Sequence, residues 1–312
     1  MLARALAIAV AFELALYLWL GARIAEAQGT GIALVWILFV ALAWRAGVVA
    51  ITYLIAFLTP GRGAGIAPVG PARMTIEFVR EVVAFTALFA ALQLFVKWTM
   101  GPPARAYGPE DGRPLLLVHG YLCNRGFWFA LARILGKSGY RVHTIDLEPP
   151  FGSIDGFARQ LDARIDAVRR TSPHRQVTLV GHSMGGLVIR ACLRDRHGEG
   201  IAGAVTLGSP HDGTSLAGLG LGRDAREMRR GSPWLGALAN VEHGSLAVPV
   251  VSIYSGQDNF VSPQRSAHLE SAENVPLPGV GHLAMAFSAR VRARLLDALA
   301  RIEAAPRERA EA

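Results

Sequence analysis

The chain has 312 residues, 52% of them hydrophobic, and a formal net charge of +8. That length allows one large domain and a smaller one, while the hydrophobic content is too high for a purely soluble protein. The basic residues form no run with interleaved aromatic residues, so the charge indicates compatibility with a membrane surface, and no nucleic-acid partner is expected. With only Cys123 and Cys192, a disulfide framework and a cysteine zinc site are excluded. One bridge could form, although two buried thiols are the expectation.

The first hundred residues contain three apolar segments, at 2–20, 32–58 and 76–98. Each is long enough to cross a hydrocarbon core, which needs about 20 residues of helix. The sequence therefore predicts a transmembrane domain of three helices over residues 1–100, with the membrane as its partner. A linker at 101–112 follows it.

Two charges interrupt the apolar segments, Glu13 in the first and Arg45 in the second. An unpaired charge at mid-membrane costs roughly 2.5 to 3.5 kcal/mol on insertion scales. One hypothesis is an ion pair that locks the two helices together. The alternative is that Arg45 snorkels or marks a break into two shorter, partly buried helices.

The orientation of these segments follows from their flanking charges. Arg62, Arg73 and Arg80 make the connection before the third segment basic, which favours the cytoplasm for that loop. The rest of the chain would then lie outside, in the periplasm of a Gram-negative bacterium. The first segment with Ala25-Glu26-Ala27 also resembles a cleaved signal peptide, although Glu13 inside the apolar run argues against one.

From residue 113 onward, strand and helix patterns alternate. Such alternation predicts an α/β fold, with a mostly parallel sheet of about six strands and helices on both faces, over residues 113–303. Strands are expected at 115–119, 141–146, 177–180, 201–207, 248–254 and 274–277. Helices are expected at 126–138, 153–171, 184–197 and 283–302. Residues 304–312 are predicted to be a frayed tail.

Residues 176–190 hold the pattern on which the functional interpretation depends. Gly181-His182-Ser183-Met184-Gly185 fits the G-x-S-x-G nucleophile elbow, a sharp strand-to-helix turn that exposes the serine hydroxyl. Gly181 and Gly185 are needed because larger side chains would collide across so sharp a turn. The helix N-terminus places a partial positive charge beside the serine. Ser183 is therefore the candidate nucleophile.

A serine nucleophile needs a base, and the base needs a carboxylate that holds its tautomer. The expected chain order of serine, acid, histidine selects Asp258 and His282, which both follow predicted strands. Asp212 is the alternative acid. The alternative bases, which are expected to shape the pocket instead, are His119, His182 and His211.

The oxyanion of an ester-cleaving reaction needs two N–H donors. The amide of Met184, next to the nucleophile, is one candidate. The loop that begins at His119-Gly120-Tyr121 can aim a second donor at the same point, which we assign to Tyr121, with Leu122 as the alternative.

Several motifs together resemble one family. LVHGY at 117–121, GHSMGG at 181–186, LGSPHDGT at 207–214, SGQDNFVSP at 255–263 and GVGHLAM at 279–285 are similar to bacterial triacylglycerol lipases and related esterases of the α/β-hydrolase superfamily. The resemblance covers roughly residues 113–303 and implies that Ser183, Asp258 and His282 form a triad, with the amides of Tyr121 and Met184 as the oxyanion hole. Calcium-dependent members have an aspartate soon after the histidine, where this chain has Leu-Ala-Met. We therefore expect no metal and no cofactor.

Residues 213–247 carry leucines, Met228 and Trp234 among four arginines. In the family this connection can form a lid over the acyl pocket, and a basic amphipathic element suits a substrate drawn from an interface. The alternative is a solvated helical excursion that packs its own leucines.

Taken with the apolar N-terminal segments, the resemblance implies a membrane-anchored serine hydrolase that cleaves carboxylic esters of lipids through an acyl-enzyme. A thioesterase, an acyltransferase or a lipid-remodelling deacylase would use the same three residues. A membrane scaffold with an inactive hydrolase domain is the alternative from another class.

Overall fold

The structure is a computed structural model that describes residues 1–59, 66, 68–242 and 245–304. Two predictions fall on residues outside these ranges. One is the frayed tail, of which residues 305–312 are not described. The other is the basic character of the loop before the third apolar segment, in so far as it depends on Arg62.

Six strands, β1 to β6 in chain order, form one sheet over residues 113–277. The strand order is β2-β1-β3-β4-β5-β6, and every neighbouring pair is parallel. This confirms the prediction of a parallel sheet of about six strands. The strands are β1 (Arg113–Val118), β2 (Tyr140–Ile145), β3 (Val177–His182), β4 (Ile201–Leu207), β5 (Val250–Ser255) and β6 (Glu273–Leu277).

Helices precede the sheet and connect its strands. They are α1 (Leu2–Gln28), α2 (Thr30–Leu58), α3 (Pro71–Ala87), α4 (Val96–Met100), α5 (Phe129–Lys137), α6 (Ile154–Thr171), α7 (Met184–Arg196), α8 (Gly222–Glu227), α9 (Pro233–Glu242) and α10 (Ala289–Ala304). The final helix is shorter than predicted, because Leu283–Ala286 forms a separate 3-10 turn before α10.

The sheet separates two hydrophobic clusters. Alternate residues of β1 point to opposite faces, so Leu115 and Leu117 belong to one cluster while Leu116 and Val118 belong to the other. Helices α5 and α10 cover the first face, and α6 and α7 cover the second. Burial on both faces explains why the central strands read as continuous apolar runs.

Helices α1 and α2 form an N-terminal hairpin that turns at Gly29, whose φ is 89°. Both helices are long and apolar enough to cross a membrane. Their most apolar 18-residue windows are only 6% and 11% buried within the protein, so neither resembles a core helix of a soluble domain. Their exposed surface is largely leucine, isoleucine, phenylalanine and tryptophan.

Glu13 and Arg45 form the ion pair that the first hypothesis predicted. The Nη1 atom of Arg45 lies 2.6 Å from Oε1 of Glu13, and Nη2 lies 3.2 Å from Oε2. The hydroxyl of Tyr17 donates to the same carboxylate. The two opposite charges therefore meet between α1 and α2, and Arg45 does not interrupt α2.

The prediction of a third spanning helix over 76–98 is wrong. Among the described residues, only α1 and α2 meet the requirements for length and hydropathy. Helix α3 begins earlier, ends in a π-helical turn at Leu88–Leu92, and is followed by the short α4. Its Glu77 and Glu81 are buried against the sheet domain. Apolar content alone could not reveal that this helix covers protein.

Both ends of the hairpin lie at the sheet domain. At the start of α1, the backbone nitrogen of Met1 lies 2.5 Å from Oε1 of Glu148, just after β2. The hydroxyl of Thr59, just after α2, lies 3.3 Å from that of Ser262. Arg73 donates to the carbonyl of Pro278 at 3.2 Å. Arg73 and the sheet domain therefore lie at the same end of the hairpin. The three-helix prediction placed them on opposite sides of a membrane.

Candidate active site

Ser183 lies at the corner between β3 and α7. Its φ and ψ are 55° and −126°, a conformation that is costly for a residue with a side chain and is held only by its surroundings. The N–H of Ser183 donates to the carbonyl of Leu207 at 2.9 Å, so the neighbouring strand β4 helps to hold the turn. This geometry is that of a nucleophile elbow.

Glycines make the turn sterically possible. A Cβ at Gly181 would lie 2.7 Å from the carbonyl carbon of Gly185, and a Cβ at Gly185 would lie 2.3 Å from the carbonyl oxygen of Val118. A Cβ at Gly120 would lie 2.8 Å from the Cβ of Ser183. Each distance is too short for a real side chain, so the backbone packs closely around the serine.

Asp258 and His282 are hydrogen-bonded to each other. Nδ1 of His282 lies 2.8 Å from Oδ2 of Asp258, and both residues are buried. The other oxygen of Asp258 accepts the N–H groups of Phe260 and Val261, each at 2.8 Å. Because the carboxylate only accepts, the imidazole proton is assigned to Nδ1, which leaves Nε2 free to accept a proton.

The surroundings of His282 favour its charged form. Burial lowers the pKa of His282, but the charge and hydrogen bond of Asp258, with the charge of Glu81, raise it above the usual value for histidine. Phe260 stacks on the imidazole, with ring centroids 5.0 Å apart. An imidazolium that forms here would therefore be stabilised by carboxylates in a site shielded from water.

Ser183 and His282 line the same cavity, which has a volume of about 380 Å³. Within the part of the chain that the structure describes, no hydrogen bond joins the serine hydroxyl to the imidazole. Catalytic hydrogen bonds are often long without substrate and tighten when it binds. Most of the other lining residues are apolar, among them Phe89, Leu216, Leu219, Met228 and Val261, so the cavity suits a hydrocarbon chain.

The alternative bases have other partners. His119 accepts the N–H of Leu147 at 3.1 Å, His182 bonds the carbonyl of His282 at 3.2 Å, and His211 bonds the hydroxyl of Thr206 at 3.0 Å. Burial lowers the pKa of all three, which favours their neutral forms.

The alternative acid, Asp212, is exposed to solvent. Its backbone N–H donates to the carbonyl of Ser266 at 3.0 Å. The carboxylate that bonds His282 is that of Asp258.

The two candidate oxyanion donors belong to different elements, Met184 to the start of α7 and Tyr121 to the loop after β1. Met184 is the first residue of α7, where helix N–H groups point outward. Tyr121 lies on the wall of the cavity. Its hydroxyl donates to the carbonyl of Leu221 at 2.8 Å and accepts the N–H of Leu221 at 2.9 Å. The Tyr121 side chain therefore anchors the segment after β4, a contact that its assignment from the sequence did not include.

The 3-10 turn at Ser215–Gly218 and helix α8 line one side of the cavity, and α9 follows them. Arg190 of α7 anchors the end of α9, because its guanidinium bonds both carboxylate oxygens of Glu242, at 2.8 and 2.6 Å. Leu219 and Leu221 are 72% and 71% exposed at the edge of the cavity. The segment thus presents leucines both to the cavity and to the outside.

Sequence reasoning missed the residues that the N-terminal helices bring to the site. Glu81 of α3 accepts backbone N–H groups next to His282, and Thr52 of α2 bonds Asn259, which in turn bonds His282. A signal was present for α3, since Glu77 and Glu81 are four residues apart and so share one face of an otherwise apolar helix.

Cys123 and Cys192 are free and buried, and burial raises the pKa of each thiol to about 12. Among the described residues, no group of three or more His, Cys, Asp or Glu side chains could hold a metal ion.

The parallel sheet, the elbow and the strand-end positions of the acid and base define an α/β-hydrolase fold. Residues 113–236 match the family described as alpha/beta hydrolase fold. Two solved lipases share the fold. Bacillus licheniformis lipase BlEst2 in mature form has a TM-score of 0.53 and 17% identity over 64% of this chain and 95% of that one. Aspergillus fumigatus lipase B has a TM-score of 0.55 and 19% identity over 64% and 55%.

Curated relatives are similar over parts of the chain. A GPI inositol-deacylase of Candida albicans is 30% identical over 222 residues, which cover 61% of this chain and 51% of that protein. A probable esterase, PIR7A of Oryza sativa, is 29% identical over 107 residues, 31% of this chain and 39% of that protein. The chain thus spans about half or less of the curated relatives that it matches, and these similarities support a hydrolase.

Proposed function

We propose that the protein hydrolyses carboxylic esters of lipids, with Ser183 as nucleophile, His282 as base and Asp258 as the acid that orients the base. The observation that carries this proposal is the arrangement around one apolar cavity. A strained serine and a histidine bonded to a buried carboxylate both line it. This is the arrangement that serine hydrolysis needs.

In the proposed reaction, the hydroxyl of Ser183 attacks the ester carbonyl while Nε2 of His282 takes its proton. The N–H groups of Tyr121 and Met184 stabilise the oxyanion of the tetrahedral intermediate. His282 then protonates the leaving alcohol, and an acyl group remains on Ser183. Water attacks this acyl-enzyme with His282 again as base, which releases the carboxylic acid and restores the serine.

The substrate class follows from the cavity and its position. The cavity is lined mainly by apolar side chains, and the segment at 213–247 is proposed as a lid whose exposed Leu219 and Leu221 meet an interface. The apolar hairpin is proposed to lie in a membrane, where lipid esters are found. We therefore place the enzyme at a membrane with an acyl ester as substrate.

The membrane orientation is inferred from the hairpin. Because both of its ends lie at the sheet domain, two spans put the N-terminal residues and the sheet domain on one side of the membrane. Arg73 and Arg80 are on that side, and basic residues favour the cytoplasm. This replaces the periplasmic placement, which depended on a third span. Labelling a cysteine introduced at exposed Ser138 in intact and in permeabilised cells would test it.

The function is tested with p-nitrophenyl esters of increasing acyl length. We expect the wild-type protein to hydrolyse them and Ser183→Ala to be inactive. A fluorophosphonate should label the wild-type protein and not this variant. Ser138→Ala, which alters an exposed serine, should behave as wild type. Background hydrolysis without labelling of the wild-type protein would reject the proposal and favour an inactive scaffold.

A second candidate is deacylation of an inositol-containing lipid. The 30% identity to a GPI inositol-deacylase favours it. Rates on an acylated inositol lipid and on a triacylglycerol, measured in the same detergent, would separate the two candidates. A higher rate on the inositol lipid would support the second.

A further inference from the structure

Three consecutive backbone N–H groups, those of residues 282 to 284, are held by side chains. The N–H of His282 donates to Oδ1 of Asn259 at 3.1 Å. Those of Leu283 and Ala284 donate to the two carboxylate oxygens of Glu81, at 2.8 and 2.9 Å. Leu283 and Ala284 begin the 3-10 turn that directly follows His282. Glu81 therefore caps the turn from which the imidazole projects.

Glu81 is fully buried and is surrounded closely. A Cβ at Gly281 would lie 2.3 Å from Oε2 of Glu81, so the backbone before the histidine fits directly against the carboxylate. The hydroxyl of Tyr53, on α2, would lie 3.0 Å from the same Cβ. Helices α2 and α3 together thus form one wall of the histidine loop.

Within the described residues, no arginine or lysine forms an ion pair with Glu81. The titratable groups that act on it are His282 and Asp258, and the hydroxyl of Tyr53 on α2 also faces it. Burial raises the pKa of Glu81 to about 7, although the two backbone hydrogen bonds and the charge of His282 act in the opposite direction. The cation that the Glu81 carboxylate faces is therefore His282 in its protonated form.

Glu77 lies one helical turn before Glu81 and differs in this respect. It is 2% exposed, but its carboxylate pairs with Arg80 at 2.9 Å and with Arg290 at 3.4 Å. It makes no hydrogen bond to residues 282–284 among the described contacts. Two buried carboxylates of one helix thus have different partners, one a pair of arginines and the other the loop of the proposed base.

We infer that Glu81 is a positioning residue for His282: its carboxylate fixes the backbone that carries the imidazole, and its negative charge favours the imidazolium that forms during the reaction. The inference rests on the proposed function, in which His282 is the base. It makes α3 part of the catalytic apparatus, in addition to any role of the N-terminal segment at a membrane.

The electrostatic part is tested without catalysis. The titration of His282 is followed by NMR of histidine-labelled full-length protein in the Ser183→Ala background. We expect Glu81→Gln to lower the pKa of His282, because the charge of Glu81 raises it, and Glu77→Gln to leave it unchanged. An unchanged pKa in Glu81→Gln, or the same shift in both variants, would overturn the inference. This result does not depend on whether the protein hydrolyses esters.

The positional part is tested by kinetics. With an active wild-type enzyme, Glu81→Gln should lower kcat about 10- to 100-fold with little change in KM, because a small displacement of a catalytic group is costly. The acid limb of the pH profile of Glu81→Gln should move to lower pH. Glu81→Asp keeps the charge but is too short to reach both amides, so the limb should stay while kcat falls. A wild-type kcat in Glu81→Gln would refute this role.

Discussion

Thr52 and Asn259 are hydrogen-bonded across 207 positions of the sequence, with Nδ2 of Asn259 donating to the hydroxyl of Thr52 at 2.7 Å. Thr52 belongs to α2 of the apolar hairpin, and Asn259 belongs to the loop that carries Asp258. Because Asn259 also accepts the N–H of His282, one side chain connects the hairpin to the proposed base. The hairpin is therefore part of the support of the site.

Thr52→Val should destabilise the protein through this contact. Valine has the same shape but cannot accept a hydrogen bond, so the buried amide of Asn259 loses its partner at a cost of about 1–3 kcal/mol. Unfolding in detergent would measure the loss. The matched control is Thr30→Val, at an exposed position in the same helix, which should change stability by less than about 0.5 kcal/mol. Equal effects of the two variants would contradict the prediction.

The pH dependence of hydrolysis should follow His282. The base must be neutral to accept the serine proton, so kcat/KM should fall as the pH drops through the pKa of His282, which lies above the usual histidine value. Asp258→Asn removes the charge that raises this pKa, so the acid limb should move to lower pH. It should also lower kcat by about 10⁴-fold, because the tautomer is no longer held.

Asp212→Asn is the control for this prediction, because it alters the exposed alternative acid. Its pH profile should match that of the wild-type protein. An unchanged acid limb in Asp258→Asn, or a shifted one in Asp212→Asn, would show that Asp258 is not the acid of the site.

Gly120→Ala should lower the activity strongly while leaving the fold intact. The new Cβ would lie 2.8 Å from the Cβ of Ser183, so the serine must move. A displacement of about 1 Å at a nucleophile can lower the rate about 100-fold. Steady-state kinetics would measure this, with Gly236→Ala as control, since its Cβ would meet nothing within 4 Å. Full activity in Gly120→Ala would show that the corner tolerates a side chain.

The hairpin should depend on the pair between Glu13 and Arg45. Glu13→Leu leaves a cation unpaired in an apolar helix, at a cost of up to roughly 2.5 to 3.5 kcal/mol at mid-membrane. Adding Arg45→Leu should recover most of this loss. Unfolding of the single and double variants in detergent would measure it, with Arg23→Leu as an exposed control. Equal stability of the single and double variants would remove the pairing as a source of stability.

Local patterns made much of the fold predictable. The strand, the sharp turn and the helix around Ser183 are contiguous, so glycine spacing and apolar runs reveal them directly. The parallel sheet follows from the alternation of strand and helix patterns. The start of α10 was not predictable in the same way, because the turn at Leu283–Ala286 is stabilised by Glu81, about 200 residues earlier.

The third apolar segment shows where composition is ambiguous. A helix that faces lipid and one that covers a protein core can have similar hydropathy, because both surroundings are apolar. Glu77 and Glu81 distinguish the cases only when their partners are known. In α3 the partners are two arginines for one residue and backbone amides for the other.

The sequence by itself determined the α/β class, the sheet and the elbow at Ser183, since these depend on residue types at short spacings. Only the tertiary structure decided that Asp258 bonds His282, that α1 and α2 pair through opposite charges, and that α3 covers the histidine loop. The physical reason is that buried polar groups must find partners wherever the fold brings them. Apolar periodicity shows that a face is buried, but it does not identify the surface that covers it.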